Sequence, residues 1–132
     1  MGAEPTHILC HNSPKEGWKE DLEEILKDTP ANANCQIWPR KDLWAMRSLL
    51  FTEPVDFMIG NSYGKELERD TGTPLIRIGF PIFDRHHTHR YSIAGYKGAI
   101  NLLTWIVNGA LDKLDEETKG IATTDYFFDL IR

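Results

Sequence analysis

The densest chemistry in the chain lies in FDRHHTHRY (83–91), where His86, His87 and His89 fall within four positions, flanked by Asp84, Arg85 and Arg90. Imidazole is a common metal ligand and titrates near neutral pH, so metal binding and proton handling are the two chemistries to weigh. A structural zinc needs four donors converging tetrahedrally, and neighbouring side chains diverge. Extended backbone puts His87 and His89 on one face; helical backbone does so for His86 and His89. Two ligands at most come from this segment, with His87 and His89 the candidates. The rest would have to come from His7, Cys10, His11 or a carboxylate. The second half of a metal-spacing motif is missing. The preferred reading is therefore no metal, and a hydrogen-bonded structural or interface joint with Asp84, or groups outside these residues, serving the histidines.

Other candidates reduce in the same way. GNSYGK (60–65) follows an expected strand and opens an expected helix, as a phosphate loop does. A phosphate loop has four residues between its glycines and a hydroxyl residue after the lysine. Here three residues separate Gly60 from Gly64, and Glu66 follows Lys65, where a carboxylate repels phosphate. A tight strand-to-helix turn is the better expectation. Cys10 and His11 are adjacent, but a strand turns neighbours to opposite faces, so a nucleophilic pair is not expected. Arg69, Asp70 and Arg77 read as surface charge pairing rather than an anion site. No catalytic residue and no cofactor ligand is assigned.

The totals bound the partners. The chain has 132 residues, 41% of them hydrophobic and 27% charged, with a net charge of −5. These are globular values. Without a basic stripe, nucleic acid is not an expected partner. The longest apolar run, 99–111, is broken by Asn101, Thr104 and Asn108, so a membrane is not expected either. Two cysteines, Cys10 and Cys35, make no disulfide framework, and no secretory signal is read, so the expected location is cytoplasmic.

The elements that must position these residues alternate. Strands are expected at 6–10, 34–38, 55–59 and 74–80. Ser13-Pro14-Lys15-Glu16 reads as a capping box that opens a helix over 14–28. Asp42 caps a second helix carrying Leu43, Met46, Leu49 and Leu50 and ending before Pro54. A short helix over 63–70 and a long one over 93–114 follow, the latter with Tyr96, Ile100, Leu103, Val107, Ala110 and Leu114 on one side. Strand–helix alternation implies parallel pairing with helices on the faces. The expected fold is α/β, a Rossmann-like or flavodoxin-like three-layer unit with a four-stranded parallel sheet in the order 2-1-3-4. The domain is expected over 1–114, with 115–132 a tail. Tyr126, Phe127 and Phe128 make that tail too apolar to stand in solvent, so it is expected to dock on the domain or on a partner subunit.

AEPTHILCHN, DLWAMRSLLFTEPVDFMIGNSYGK, ERDTGTPLIRIGFPIFDRHHTHR and TTDYFFDLIR together resemble the C-terminal domain of nitrogenase molybdenum-iron protein beta chains. The resemblance runs from about Gly2 to Arg132. It implies a Rossmann-like domain of a heterotetramer of two alpha and two beta chains, reducing dinitrogen to ammonia. An ATP-hydrolysing iron protein, reduced by ferredoxin or flavodoxin, would deliver electrons through an iron–sulfur P-cluster to an iron–molybdenum cofactor in the alpha chain. By the same resemblance the P-cluster ligands lie in another part of the beta chain, so these residues would bind no cofactor. Implied partners are the alpha chain, the remaining beta-chain domains, the second beta chain and the iron protein. Asp84, Arg85, His86, His87, His89, Tyr126, Phe127 and Phe128 would then be structural or interface residues, with the missing domains as further partners for the histidines. The opening Met1-Gly2-Ala3 reads as an artificial start or as a boundary inside a longer gene. Alone, the piece is expected to be inactive, and to self-associate or be marginally soluble. Two alternatives stay open: a stand-alone metal- or anion-binding α/β domain, and part of a nitrogenase cofactor-assembly scaffold.

Overall fold

Alternation of strand and helix is carried through the chain. A computed structural model describes residues 3–30, 34–86 and 90–119. The elements are β1 (His7–Cys10), α1 (Trp18–Leu26), β2 (Gln36–Pro39), α2 (Leu43–Thr52), β3 (Met58–Gly60), α3 (Lys65–Thr71), β4 (Leu75–Arg77) and α4 (Gly95–Thr118). A single 3-10 turn, Ser62–Gly64, precedes α3. They divide between two compact units, the first built from 1–55 and 66–73, the second from 56–65 and from 74 onward. No helix among the described residues is long and apolar enough to cross a membrane.

In the first unit β1 pairs in parallel with β2, from His7 opposite Gln36 to Cys10 opposite Pro39. In the second, β3 pairs in parallel with β4, from Met58 opposite Leu75 to Gly60 opposite Arg77. The neighbours 2-1 and 3-4 therefore pair as expected. Among the described residues no ladder joins β1 to β3, so two two-stranded sheets stand where one four-stranded sheet was expected. A crossover helix joins the two strands of each pair, but α2 carries the chain from β2 to β3 without those strands pairing, so a crossover by itself does not dictate which edges meet.

Local chemistry accounts for the helix ends. The Asp42 side chain accepts a hydrogen bond from the Ala45 amide at 2.9 Å and caps α2, as its sequence context predicts. The expected capping box on Ser13 does not form. Ser13 is buried, and its hydroxyl accepts from the Arg40 amide at 3.0 Å instead. That amide also donates to the Cys10 carbonyl at 2.7 Å, which holds Arg40 at a φ of 57°, in the left-handed region. With its cap taken by a tertiary contact, α1 starts four residues later than expected, at Trp18, after Gly17.

The core is small. Leu50 and Leu67 are buried in the first unit, and Met58, Leu75, Ile76 and Ile106 in the second. α4 lies close over β4: a side chain begun at Gly109 would meet Ile76 at 3.4 Å. At Gly98 a Cβ would fall 2.3 Å from the Ile93 carbonyl carbon, so the backbone turning into α4 approaches too closely for any side chain. α4 runs to Thr118 and so passes the boundary expected at residue 114. Tyr96, Ile100, Leu103, Val107, Ala110 and Leu114, the apolar side expected on this helix, are all exposed. Its packed side is instead Gly98, Asn101, Leu102, Trp105, Ile106 and Gly109.

Candidate functional site

In parallel sheets, functional groups gather beyond the carboxyl ends of the strands. In the second unit these ends are the loop after β3, starting at Asn61, and the loop after β4, running through Asp84. The two loops are tied together. The Asn61 side chain accepts from the Tyr63 amide at 3.2 Å and donates to the Phe80 carbonyl at 3.2 Å. The Ser62 amide donates to the Pro81 carbonyl at 3.1 Å, next to a cis Phe80–Pro81 peptide. GNSYGK is thus the tight strand-to-helix turn that its glycine spacing favours. Its Asn-Ser pair is turned to holding the neighbouring loop.

Asp84 is the hub of this arrangement. Ser62, only 1% exposed, donates its hydroxyl to Asp84 Oδ1 at 2.5 Å and accepts from the Phe83 amide at 3.0 Å. Arg77 Nε donates to Asp84 Oδ2 at 2.8 Å, and Arg77 Nη1 donates to the Leu75 carbonyl at 2.9 Å. Arg85 Nη1 donates to the Asp84 carbonyl at 2.8 Å and lies 3.3 Å from Oδ2. Burial pushes the Asp84 carboxyl up. The hydrogen bonds from Ser62 and Arg77 and the charges of Arg77 and Arg85 outweigh that, and the group sits below the usual carboxylate range. The carboxylate expected to serve the histidines is engaged by Ser62, Arg77 and Arg85. Arg77 also departs from expectation: its pairing is buried, with both partners' side chains 7% exposed, rather than on the surface.

A cavity of about 360 Å³ opens beside the network, lined among others by Arg77, Phe80, Ile82, Arg85, Tyr91 and Trp105. Tyr91 and Trp105 meet edge to face at 6.0 Å, and Phe80 is 89% exposed. Of the two guanidiniums at the cavity, Arg77 is covered and held by Asp84, and Arg85 is half exposed. Phe80, Tyr91 and Trp105 are not among the residues the sequence singles out for a site. Ser62 is legible only as part of the polar strand exit Asn61-Ser62-Tyr63.

The remaining candidates disperse. His86 is exposed. His87, His89, Tyr126, Phe127 and Phe128 lie outside the described residues. His7 belongs to the first unit, where its side chain is buried, accepts from Trp38 Nε1 at 3.3 Å, and places Nε2 3.4 Å from Glu53 without hydrogen-bond alignment. Cys10 and Cys35 are free and half-buried, and burial pushes the Cys35 thiol up. Among the described residues no group of three or more His, Cys, Asp or Glu is placed to hold a metal.

Two parallel βαβ units, one with a cross-tied strand edge, define an α/β architecture that many unrelated proteins share. The model of the nitrogenase component 1 type oxidoreductases matches residues 1–111, and the chain belongs to that family. Within it, the chain is similar over its whole length to beta chains of the nitrogenase molybdenum-iron protein. It is 60% identical to that of Crocosphaera subtropica and covers 26% of it. It is 58% identical to that of Bradyrhizobium diazoefficiens, covering 25%. Against the Azotobacter vinelandii beta chain the identity is 54% over 139 aligned positions. A solved structure of nitrogenase Cp1 at pH 6.5 superposes with a TM-score of 0.81 at 28% identity, over 91% of this chain and 26% of that one. The chain therefore spans about a quarter of the length of the relatives it matches. These identities establish a quarter-length match; its placement at the C-terminus is an expectation of the sequence resemblance alone.

Proposed function

We propose that this chain works as a scaffolding and subunit-interface portion of a nitrogenase molybdenum-iron protein beta chain, in the cytoplasm. In this reading the activity belongs to the assembled enzyme, which reduces dinitrogen to ammonia with electrons from an ATP-hydrolysing iron protein, itself reduced by ferredoxin or flavodoxin. Its partners are the alpha chain, the rest of the beta chain and the second beta chain. The observation that carries the reading is 60% identity to a beta chain four times as long, in a molecule that leaves Trp44, Phe80 and Tyr96 between 72% and 95% exposed. Surfaces of that kind are covered in assemblies.

The donor chemistry of these residues does not fit an iron–sulfur cluster. Such clusters are held by cysteine thiolates, commonly about four; the chain has two cysteines, and the Cys35 thiol is pushed away from the thiolate form. We assign the P-cluster and the iron–molybdenum cofactor to other parts of the complex and route no step through them. In this reading the α/β portion, expected over 1–114, extends to the end of α4 at Thr118, and the residues after it act as a docking tail. The 2-1-3-4 strand order is the arrangement proposed for the assembled state.

The test is affinity purification of the tagged polypeptide from nitrogen-fixing cells. Co-purification of the alpha chain, with iron and molybdenum in the complex, is expected. Stoichiometric zinc or iron on this polypeptide alone, lost in a His87→Ala/His89→Ala variant, would sink the scaffold reading.

A further inference from the structure

α4 has two apolar faces. One packs within the second unit through Gly98, Trp105, buried Ile106 and Gly109. On the other, Tyr96, Ile100, Leu103, Val107, Leu111 and Leu114 are between 42% and 95% exposed. Stepping by fours and threes, these six fall within about 80° of arc and run about 27 Å along the helix. Ala99 and Ala110 border one side of the stripe, where small side chains let a second backbone come close. A helix apolar on both sides belongs in the interior of a larger body, because neither face gains by meeting water.

We propose that this stripe is the seam on which an α-helix docks, supplied by the part of the beta-chain polypeptide lying outside these 132 residues. The proposal rests on the reading of the chain as a portion of a longer beta chain. The six are spaced 3.6 residues apart on average, so the stripe runs straight along the axis and offers ridges and grooves to a second helix. The relatives supply the occupant: this chain accounts for 26% of the Crocosphaera beta chain, leaving roughly three quarters of that polypeptide to carry a partner. A helix tethered on the same polypeptide acts at an effective concentration of about a millimolar, far above that of a second copy in a cell. The tethered helix therefore wins the seam from a homodimer.

A photo-crosslinking amino acid placed at Val107 in the native gene, with irradiation of the purified complex and peptide mapping, tests this. The expected product joins Val107 to a beta-chain peptide outside residues 1–132. Its yield should exceed by about five-fold that from the same label at Asp115, roughly 80° around the helix from Val107. The same label at Leu103 gives a second reading should the first perturb folding. A link from Val107 to α4 of another copy, a link to a different polypeptide, or no link overturns the proposal. The parent reading fails separately, by absence of the alpha chain from the purified complex or by a native polypeptide no longer than this one.

Discussion

The two units each hold a carboxylate–guanidinium pair of nearly the same length, and the pairs differ in burial. In the first unit Arg47 Nε meets Asp70 at 2.9 Å with both side chains about one-third exposed, while Arg47 also lies over the rings of Trp44 and Phe51. In the second, Arg77 Nε meets Asp84 at 2.8 Å with both side chains covered, and Ser62 takes the remaining carboxylate oxygen. Water screens the first pair, and its loss leaves no buried charge. Loss of one partner from the second strands a charge without solvent. Distance alone would rank these pairs equal; burial makes one a surface contact and the other the knot of a strand edge.

The sharpest way to break the comparison is Asp84→Ala. It should destabilise the second unit by about 3 kcal/mol, because Arg77 and Ser62 both lose their acceptor. Urea unfolding, with amide exchange at Ser62 and Ile78 as the local readout, measures it; an unchanged midpoint would show that the knot carries no weight. Gly98→Ala comes next, at about 2 kcal/mol, since the new methyl meets backbone that cannot swing aside. Thermal unfolding reports this, and a neutral effect would mean the turn into α4 can open. In the first unit Asp42→Ala removes the α2 cap and should cost about 1 kcal/mol, read by helical circular dichroism during denaturation.

The pH response sharpens the same contrast. A carboxyl held below its unfolded value stabilises the fold above about pH 4, and that contribution is lost as pH falls through the folded value. The Arg47 hydrogen bond, opposed by some desolvation, lowers Asp70 as well, so both units should weaken in acid. Asp84→Asn should flatten the acid limb of stability more than Asp70→Asn does. The smallest effect expected is that of Asp70→Asn at neutral pH, a midpoint shift less than a third of that of Asp84→Asn. Equal shifts for the two variants would remove the distinction between the units.

Much of this was legible from residue types. Asp42 followed by an apolar run announced α2 and its cap. The glycine spacing of GNSYGK, and Glu66 after it, favour a tight turn over a phosphate loop, and the turn is what forms. Ser13 misled because its context also fits a capping box; only the approach of the Arg40 amide, 27 residues away, shows where its hydroxyl goes. Asp84 was legible only in part: Ser62 and Arg77, seven residues back across a turn, reach its carboxylate, and no local pattern in FDRHHTHRY announces either.

By itself the sequence determined the alternation of strand and helix, the parallel pairing of β1 with β2 and of β3 with β4, the α2 cap and the long α4. Each of these depends on periodicity or on contacts within a few residues. The tertiary structure alone decided that the ladders form two pairs, that Asp84 serves Ser62 and Arg77, and that the regular apolar stripe of α4 faces outward. Those outcomes depend on which distant groups satisfy a shared donor or cover a shared face at the lowest free energy, and a local pattern cannot encode that competition.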